Sequence, residues 1–310
     1  MDKNAKIYVA GHLGLVGSAV TRRLQAAGYH RLLTRTHREL DLLDQRAVYD
    51  FLEHEKPDYL FILAAKVGGI QANNTFRADF IHQNLAIQNH LIHGAFRAGI
   101  HDLCFFGSSC IYPRECPQPI REEYLLTGPL EKTNEPYAVA KIAGIKMCEG
   151  YNAQYGTRYL CVMPTNLYGP NDHYDLANSH VLPALILKIH QAKARGDDEL
   201  VVWGTGRPRR ELLYSDDLAD ACIRLMELGI GSGIYNIGTG EDHTILELAE
   251  TAMEVIGFTG RIVFDTGKPD GTLVKRLDVS RITALGWRAT TPLREGIART
   301  YADFLAHLPS

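Results

Sequence analysis

Gly11-His12-Leu13-Gly14-Leu15-Val16-Gly17 lies between a short apolar run at residues 6–10 and an amphipathic stretch at residues 15–27. Glycines are needed where a chain turns tightly and where its backbone must approach a pyrophosphate, and a helix N-terminus offers free N–H groups to that anion. Glycines alone are a weak signal, because they also mark ordinary turns. Their position between a strand and a helix predicts a dinucleotide-binding loop.

Alternating strand and helix patterns continue through the first half of the chain. Apolar runs typical of buried strands lie at residues 31–36, 59–65, 101–106 and 158–163, and helical stretches lie at residues 45–54, 86–98 and 135–155. Repeated units of this length predict an α/β fold, in which a doubly wound parallel sheet of the Rossmann type has helices on both faces.

The second half is less regular, and it predicts a smaller C-terminal α/β lobe for the substrate. Its expected elements are helices at residues 181–194, 216–228 and 244–256 and strands at residues 199–203 and 233–237. We expect Ser215 to cap one helix, and Thr244 with Glu247 to form a capping box on another. The expected dinucleotide-binding domain comprises residues 1–170 and 213–240, and the expected substrate lobe comprises residues 171–212 and 241–310.

Composition excludes several classes of partner. The 310 residues carry a net charge of −3, so neither a nucleic acid nor an anionic membrane is an expected partner. No run approaches the roughly 20 consecutive apolar residues of a membrane span, and the first residues lack the apolar region of a signal peptide. The six cysteines form no Cys-x-x-Cys pair and no zinc-like spacing, so we expect no metal and a reducing, cytoplasmic location.

The residues after the second predicted strand discriminate between the two nicotinamide dinucleotides. An NAD site usually places an acidic residue about 20 residues after the glycines, where it holds the ribose hydroxyls. This chain instead has Arg35 and Arg38, and a planar guanidinium can clamp a 2′-phosphate. NADP(H) is therefore the expected cofactor, although Glu39 and Asp41 follow closely and leave NAD open.

Tyr137 and Lys141 form a Tyr-x-x-x-Lys pair within the predicted helix at residues 135–155. Residues four apart lie on one face of a helix, and an ammonium beside a phenol is expected to lower the phenol's pKa from about 10. Such a pair can give a proton to a carbonyl oxygen as hydride arrives from a nicotinamide. Ser108, at the end of the fourth strand, borders the same crevice and can hold that oxygen.

The glycine loop, the serine after the fourth strand and the Tyr-x-x-x-Lys pair together resemble the extended short-chain dehydrogenases/reductases. Finer features resemble the GDP-L-fucose synthases, also called GDP-4-keto-6-deoxy-D-mannose 3,5-epimerase–4-reductases. The matching segments, which span nearly the whole chain, are Ala65-Lys66-Val67-Gly68-Gly69-Ile70, Gly107-Ser108-Ser109-Cys110-Ile111-Tyr112-Pro113, Asn134-Glu135-Pro136-Tyr137-Ala138, Pro164-Thr165-Asn166-Leu167-Tyr168-Gly169-Pro170, Asn178-Ser179-His180-Val181 and Lys268-Pro269-Asp270-Gly271.

This resemblance implies two reactions in one site. Carbons 3 and 5 of the sugar flank a ketone, so each centre can be inverted by a base on one side and an acid on the other. The resemblance implies that Cys110 is the base and His180 the acid. An imidazole with a pKa near its ordinary value of about 6.5 can donate a proton near neutrality. Reduction at carbon 4 by NADPH then takes its proton from Tyr137, with Lys141 and Ser108 in support.

The resemblance also implies the binding residues and a homodimer built on the Tyr-x-x-x-Lys helix and its neighbour. The expected contacts to the GDP-sugar substrate are Ser108, Cys110, Asn166, Lys188, Trp203, Arg210 and Asp270. The expected contacts to NADP(H) are Gly11, His12, Leu13, Gly14, Val16, Gly17, Arg35, Arg38, Asp41, Leu63, Ala64, Ala65, Lys141, Pro164, Asn166, Leu167 and His180.

Two other functions remain open at this stage. An NAD-dependent nucleotide-sugar 4-epimerase or 4,6-dehydratase shares the fold, but it recycles its cofactor and does not need Cys110 and His180 together. A Rossmann protein that senses the redox state of NADP without catalysis is the third possibility. Such proteins commonly lose the Tyr/Lys pair, which this chain keeps.

Overall fold

The computed structural model describes residues 1–175, 179–268, 270 and 273–308. Asn178, Pro269 and Gly271, which belong to segments quoted for the resemblance, lie outside the described residues. In chain order the first half contains β1 (Ile7–Ala10), α1 (Leu15–Ala26), β2 (Leu32–Leu33), α2 (Gln45–Glu55), β3 (Tyr59–Ile62), α3 (Ile70–Thr75), α4 (Arg77–Arg97), β4 (Asp102–Phe106), α5 (Glu135–Tyr155) and β5 (Arg158–Pro164).

The second half mixes short strands with helices. In chain order it contains β6 (Asn166–Tyr168), α6 (Val181–Arg195), β7 (Glu199–Trp203), β8 (Arg209–Arg210), β9 (Leu212–Tyr214), α7 (Ser215–Glu227), β10 (Ile234–Ile237), β11 (His243–Thr244), α8 (Ile245–Ile256), β12 (Arg261–Asp265), β13 (Val274–Lys275), α9 (Ser280–Ala284) and α10 (Leu293–Ala306).

The central sheet confirms the predicted fold class. Its strand order is β2-β1-β3-β4-β5-β10, and every neighbouring pair is parallel. The order reverses between β1 and β3, because the chain builds outward from β1 in one direction and then from β3 in the other. In an open α/β sheet, ligands bind outside the carboxyl ends of the strands at this switch point.

Alternation along the strands sends side chains to two separate cores. Ile7 and Val9 face a cluster with α1 and α7, whereas Tyr8 and Ala10 face a cluster with α2, α4 and α5. Each fully buried large apolar side chain contributes about 1.5–3 kcal/mol, so both faces hold the sheet in place. Trp287, far along the chain, also packs in the α1–α7 cluster.

A third cluster of buried side chains is built by later elements. Helices α6, α8 and α10 supply most of it, and Leu200 and Val202 of β7 add the strand face. The two-stranded sheet of β7 and β12 borders this cluster, and β8, β11 and β13 form a further three-stranded sheet. The predicted second α/β unit is therefore present, with more short strands than the sequence indicates.

Local differences from the predicted elements have physical causes. The run at residues 31–36 pairs only at Leu32–Leu33, where β2 forms the sheet edge. The expectation that Ser215 caps α7 is wrong, because Tyr214 holds the N-cap position and Ser215 is the first helical residue. The capping box of α8 is confirmed, since Thr244 accepts from the Glu247 amide and the Glu247 carboxylate accepts from Thr244 N.

Candidate active site

The glycine loop is held against the end of β3 by close backbone contacts. Gly11 has φ +94°, and a Cβ there would lie 2.7 Å from the backbone N of Ala64. A Cβ at Gly17 would lie 1.9 Å from the Gly11 carbonyl oxygen, so only glycine allows α1 to pack on the loop. A Cβ at Gly14 would meet nothing nearer than 3.7 Å, which leaves this position open toward the crevice.

This loop fits a bound dinucleotide. Gly14 is the N-cap of α1 and has no capping side chain, so the first amides of the helix are available to an anion. Leu13 is exposed, Val16 is partly buried, and the Nδ1 atom of His12 is buried without a hydrogen-bond partner among the described residues. An orphaned buried nitrogen beside a glycine turn is typical of a site completed by a ligand.

The chain after β3 forms the other wall of the loop. The amides of Leu63 and Ala64 both donate to the carbonyl of Ala10, at 3.0 and 2.8 Å. Leu63, Ala64 and Ala65, which the resemblance implies as cofactor contacts, are partly buried directly after β3. They therefore border the switch point between β1 and β3.

The predicted 2′-phosphate residues differ in their surroundings. Arg35 lies 3.1 Å from a Glu55 carboxylate oxygen and places its guanidinium 5.0 Å from the centre of the Phe51 ring. Arg38 is exposed, and Asp41 is exposed beside His37, at 3.6 Å. Arg35 is thus held at the crevice edge by its own carboxylate partner, while Arg38 remains solvated.

Ser108 and Cys110 lie on one short helical turn directly after β4. Ser108 is the N-cap of the 3-10 turn Ser109–Ile111, and its Oγ accepts from the Cys110 amide at 3.4 Å. Burial raises the pKa of the Cys110 thiol, and the positive charge of Lys275 and a hydrogen bond with Ser108 partly offset that rise. The thiol therefore needs a cation nearby to lose its proton.

Tyr137 and Lys141 share one face of α5 at the same edge of the sheet. The Lys141 ammonium donates to the Phe106 carbonyl at 2.7 Å and lies 5.8 Å from the centre of the Tyr137 ring. Burial lowers the pKa of Lys141 to about 8. Burial raises the pKa of Tyr137, and the Cys110 thiol raises it further, so the expected lowering of this pKa is wrong for the structure as it stands.

His180 reaches the site from a different part of the chain. It occupies the N-cap position of α6 and is exposed to solvent, yet desolvation by surrounding protein lowers its pKa and Lys275 lowers it further. The expectation of an ordinary imidazole pKa is therefore corrected downward. The charge of Lys275 influences the pKa of both Cys110 and His180, so one cation acts on both side chains.

Lys275 was not among the residues that sequence reasoning selected. It lies on β13 in register with Arg210 of β8, so two cations from distant segments stand side by side. The lone signal in the sequence is a lysine seven residues after Lys268, within the loop that follows the quoted Lys-Pro-Asp-Gly segment. A strand of two residues gives no periodicity from which this pairing could be predicted.

Lys188, Trp203 and Asp270 form a second group, in which Lys188 lies over the Trp203 ring and Asp270 lies beside Gly204, the residue that follows Trp203. The Lys188 ammonium lies 4.4 Å and the Lys268 ammonium 5.4 Å from the centre of the Trp203 ring, which is 52% exposed. Asp270 accepts from the Thr205 amide at 2.8 Å and from its hydroxyl at 2.7 Å, and these bonds lower the pKa of Asp270. An exposed indole face, cations and a fixed carboxylate can together recognise a nucleotide.

A buried carboxylate links the sheet to the cationic strands. Glu211 is fully buried, and its oxygens accept from the amides of Leu277 at 2.7 Å and Gly240 at 2.8 Å. The backbone carbonyl of Glu211 accepts from the side-chain amide nitrogen of Asn166 at 3.1 Å. Asn166 and Leu167 belong to β6, and Pro164 ends β5, so these predicted cofactor contacts also lie at the carboxyl edge of the sheet.

Within the described ranges, no group of three or more His, Cys, Asp or Glu side chains could hold a metal ion. No helix in the described part of the chain is both long and apolar enough to cross a bilayer. All six cysteines carry free thiols.

Comparison with known proteins agrees with this geometry. The family described as the NAD dependent epimerase/dehydratase family matches residues 7–238. GDP-L-fucose synthase 1 of Arabidopsis thaliana is 54% identical over 99% of this chain and 95% of its own length. GDP-L-fucose synthase of Escherichia coli K12 is 52% identical over 97% and 96%. The NADP-bound structure of a GDP-mannoheptose C4 reductase from Campylobacter jejuni is 40% identical, covers 98% and 99%, and has a TM-score of 0.89.

Proposed function

Because this chain belongs to the NAD dependent epimerase/dehydratase family, among the GDP-L-fucose synthases, we propose that it converts GDP-4-keto-6-deoxy-D-mannose to GDP-L-fucose with NADPH. One observation carries the proposal. Ser108, Cys110, Tyr137 and Lys141 lie at one edge of the sheet. The charge of Lys275 acts on the pKa of both Cys110 and His180. A reductase alone needs neither the thiol nor the imidazole.

Epimerisation is assigned to Cys110 and His180. The hydrogens on carbons 3 and 5 are acidified by the neighbouring ketone, so a thiolate can remove one as a proton and become a thiol. His180 then returns a proton to the opposite side of the ring, and the configuration is inverted. The lowered pKa of His180 makes its protonated form a stronger acid, and solvent access allows it to be reprotonated.

Reduction is assigned to Tyr137, Lys141 and Ser108. Bound NADPH would supply a hydride to carbon 4, as a nicotinamide does in related chemistry. Tyr137 gives its phenolic proton to the ketone oxygen, and the Ser108 hydroxyl orients that oxygen. The proton on Tyr137 is retained until it is needed, because burial raises its pKa. Lys141 stabilises the phenolate that remains.

The GDP moiety is assigned to the second group of the cleft. Lys188 and Arg210 supply positive charge for the diphosphate, and Trp203 offers an open ring face to the base. Asp270 accepts hydrogen bonds from the base or sugar. Residues 171–212 and 241–310 accordingly form the proposed substrate lobe, whereas residues 1–170 and 213–240 form the proposed dinucleotide-binding domain.

We further propose a cytoplasmic homodimer that pairs α4 and α5 across a two-fold axis. These helices, of 21 residues each, pack against one another beside the sheet. Val139 and Tyr155 of α5 are 40% and 47% exposed, which leaves apolar surface on the helix pair. Free thiols in every cysteine suit a reducing compartment.

A single assay tests the proposed activity. The purified protein is mixed with NADPH and GDP-4-keto-6-deoxy-D-mannose, NADPH absorbance is followed, and the product is identified by NMR. We expect stoichiometric NADPH oxidation and GDP-L-fucose. A 4-epimerase or dehydratase would recycle its cofactor, so an absence of net NADPH consumption would refute the proposal. A product that retains its configuration at carbons 3 and 5 would leave only a reductase.

A further inference from the structure

The position of Lys275 is fixed by two other parts of the chain, residues 118–120 and 209–211. Its strand pairs with β8 in parallel register, opposite Arg210. The next residue, Arg276, accepts at its carbonyl from the Ile120 amide at 2.8 Å, and Leu277 donates to the buried Glu211 carboxylate at 2.7 Å. The residue that follows Lys275 is therefore hydrogen-bonded to the end of the segment that comes after the Ser109–Ile111 turn, on which the thiol lies.

The Lys275 side chain is half-buried, and its charge is not neutralised by a neighbour. Within the described ranges, no hydrogen bond or ion pair holds its ammonium group. Burying a charge without a partner costs free energy, and this cost lowers the pKa of Lys275. A buried titratable group whose charge has no partner is a candidate for a functional role.

The charged and titratable groups that act on Lys275 show which of them its positive charge can stabilise. The titratable and charged groups acting on Lys275 are Cys110, Arg210, Cys116 and Glu211, and Lys275 itself acts on His180. Arg210 repels it, and the carboxylate of Glu211 is already occupied by two backbone amides. The Cys110 thiol can acquire a negative charge that would compensate the charge of Lys275. It is also the group to which proton removal is assigned.

Lys141 is a weaker candidate for the same role. Its ammonium is directed to the Phe106 carbonyl, and among charged groups Lys275 has the larger effect on the Cys110 thiol. Ser108 can offer the sulfur one hydrogen bond but no charge. A buried thiol needs a positive neighbour to ionise near neutral pH, and Lys275 is the described cation with the greatest influence on it.

We propose that Lys275 is a positioning residue for epimerisation, which stabilises the Cys110 thiolate as the base that removes protons from carbons 3 and 5. This inference rests on the proposed function. Lys275 acts through the sulfur and takes no proton from the sugar itself. The charge is balanced within the site, because the ammonium is unpaired while Cys110 is a thiol and becomes paired when the thiol ionises.

The test measures the thiolate directly, in the protein alone. Alkylation of Cys110 by iodoacetamide is followed by peptide mass spectrometry from pH 6 to pH 10, in a Cys116→Ser background that removes the other partly buried cysteine. Lys275→Met is compared with Lys275→Arg and with Lys146→Met. Lys146 is an exposed residue of α5 that pairs with Glu149, so its variant changes the net charge equally without approaching the site.

We expect Lys275→Met to slow alkylation of Cys110 at pH 7 about tenfold, which corresponds to a rise of one unit in the thiol pKa. Lys275→Arg should restore the wild-type profile, and Lys146→Met should leave it unchanged. With the GDP-sugar, Lys275→Met should slow deuterium exchange at carbons 3 and 5 about tenfold. Lys275→Gln serves in place of Lys275→Met if that variant does not fold.

A folded Lys275→Met protein with a wild-type alkylation profile would overturn the inference. If its KM for the GDP-sugar rose at the same time, Lys275 would be a diphosphate ligand instead. Failure of the proposed function is a separate result, because wild-type protein would then leave the GDP-sugar unchanged. The alkylation profiles decide the role of Lys275 in either case, since they need neither substrate nor cofactor.

Discussion

At the scale of single residues, the pKa of each side chain in the candidate site depends on its surroundings. Tyr137 and Lys141 lie on one helix face, as their spacing of four predicts. Their pKa values depend on burial and on the nearby Cys110 thiol, which no spacing reveals. Sequence reasoning therefore identified which residues are present but reversed the direction of the Tyr137 pKa change.

The two proposed half-reactions should separate by mutation. Cys110→Ser removes the base but keeps Tyr137, so deuterium exchange from solvent into carbons 3 and 5 should stop while some direct reduction of the ketone continues. Tyr137→Phe should reduce NADPH oxidation by about 10²–10⁴-fold and leave the exchange intact. NMR of the recovered sugar measures the exchange, and loss of both activities in either variant would contradict the division of roles.

Lys141 should make the enzyme less stable at neutral pH. Its pKa falls from 10.5 to about 8 on folding, so the unfolded chain binds more protons between these values and stability rises with pH in that window. At pH 7 the full penalty is present. Lys141→Met should therefore raise the free energy of unfolding by about 1–2 kcal/mol, after the lost bond to Phe106 is deducted.

Urea unfolding of Lys141→Met and wild type from pH 7 to pH 10.5 checks this prediction. The gap between the two proteins should shrink as pH rises above 8. The Lys146→Met variant provides the control, because Lys146 is exposed. A gap that stays constant across this range would show that the charge of Lys141 is not the cause.

At the scale of secondary-structure elements, long periodic segments were predictable and short ones were not. The helix Glu135–Tyr155 and the strand Glu199–Trp203 have the bounds that their patterns predict. Helix α4 begins at Arg77, earlier than predicted. The sequence pattern missed its first turns because they lack an apolar stripe. The strands Arg209–Arg210 and Val274–Lys275 exist through tertiary pairing rather than through local preference.

The capping box of α8 should contribute measurably to the free energy of unfolding. Thr244→Ala removes the hydroxyl that accepts from the Glu247 amide, and we expect a loss of about 1 kcal/mol in the free energy of unfolding. Thr251→Ala is the matched control on the same helix, since Thr251 bonds only the Glu247 carbonyl one turn back. Equal losses in the two variants would contradict a specific capping effect.

Substitution of Gly17 and of Gly14 in the glycine loop should have different effects. Gly17→Ala places a Cβ 1.9 Å from a backbone oxygen, so it should destabilise the protein by about 3 kcal/mol or more. Gly14→Ala meets no atom closer than 3.7 Å and should fold normally. Its affinity for NADPH should fall about tenfold, because Gly14 is the N-cap of α1, where the pyrophosphate is expected to approach the backbone. Thermal denaturation and a fluorescence titration with NADPH measure the two effects.

At the scale of the whole molecule, strand order joins residues that the sequence separates widely. The repeating strand–helix units of the first half predict the fold class, a doubly wound parallel sheet. The three-stranded sheet of β8, β11 and β13 combines segments from three regions of the chain. Lys275 was missed for this reason, since its neighbours are set by that sheet and by the loop ending at residue 120.

The proposed homodimer should depend on the exposed side of α5. Val139 is 40% exposed between Tyr137 and Lys141 in sequence but on another side of the helix. A charge there would be buried at a helix–helix interface, so Val139→Glu should shift the protein from dimer to monomer. Sedimentation velocity at micromolar concentration measures this, and a wild-type protein that sediments only as a monomer would refute the dimer.

His180 stands outside the central sheet, at the start of α6, whereas Ser108, Cys110, Tyr137 and Lys141 all lie within 34 residues beside that sheet. The proposed acid of the epimerisation is therefore supplied by a separate element, whereas the proposed base shares its turn with Ser108 of the proposed reduction. Replacing this one imidazole would remove the proposed acid without touching any residue beside the sheet. Protein engineers can use that replacement as a starting point for obtaining sugars that are reduced without full epimerisation.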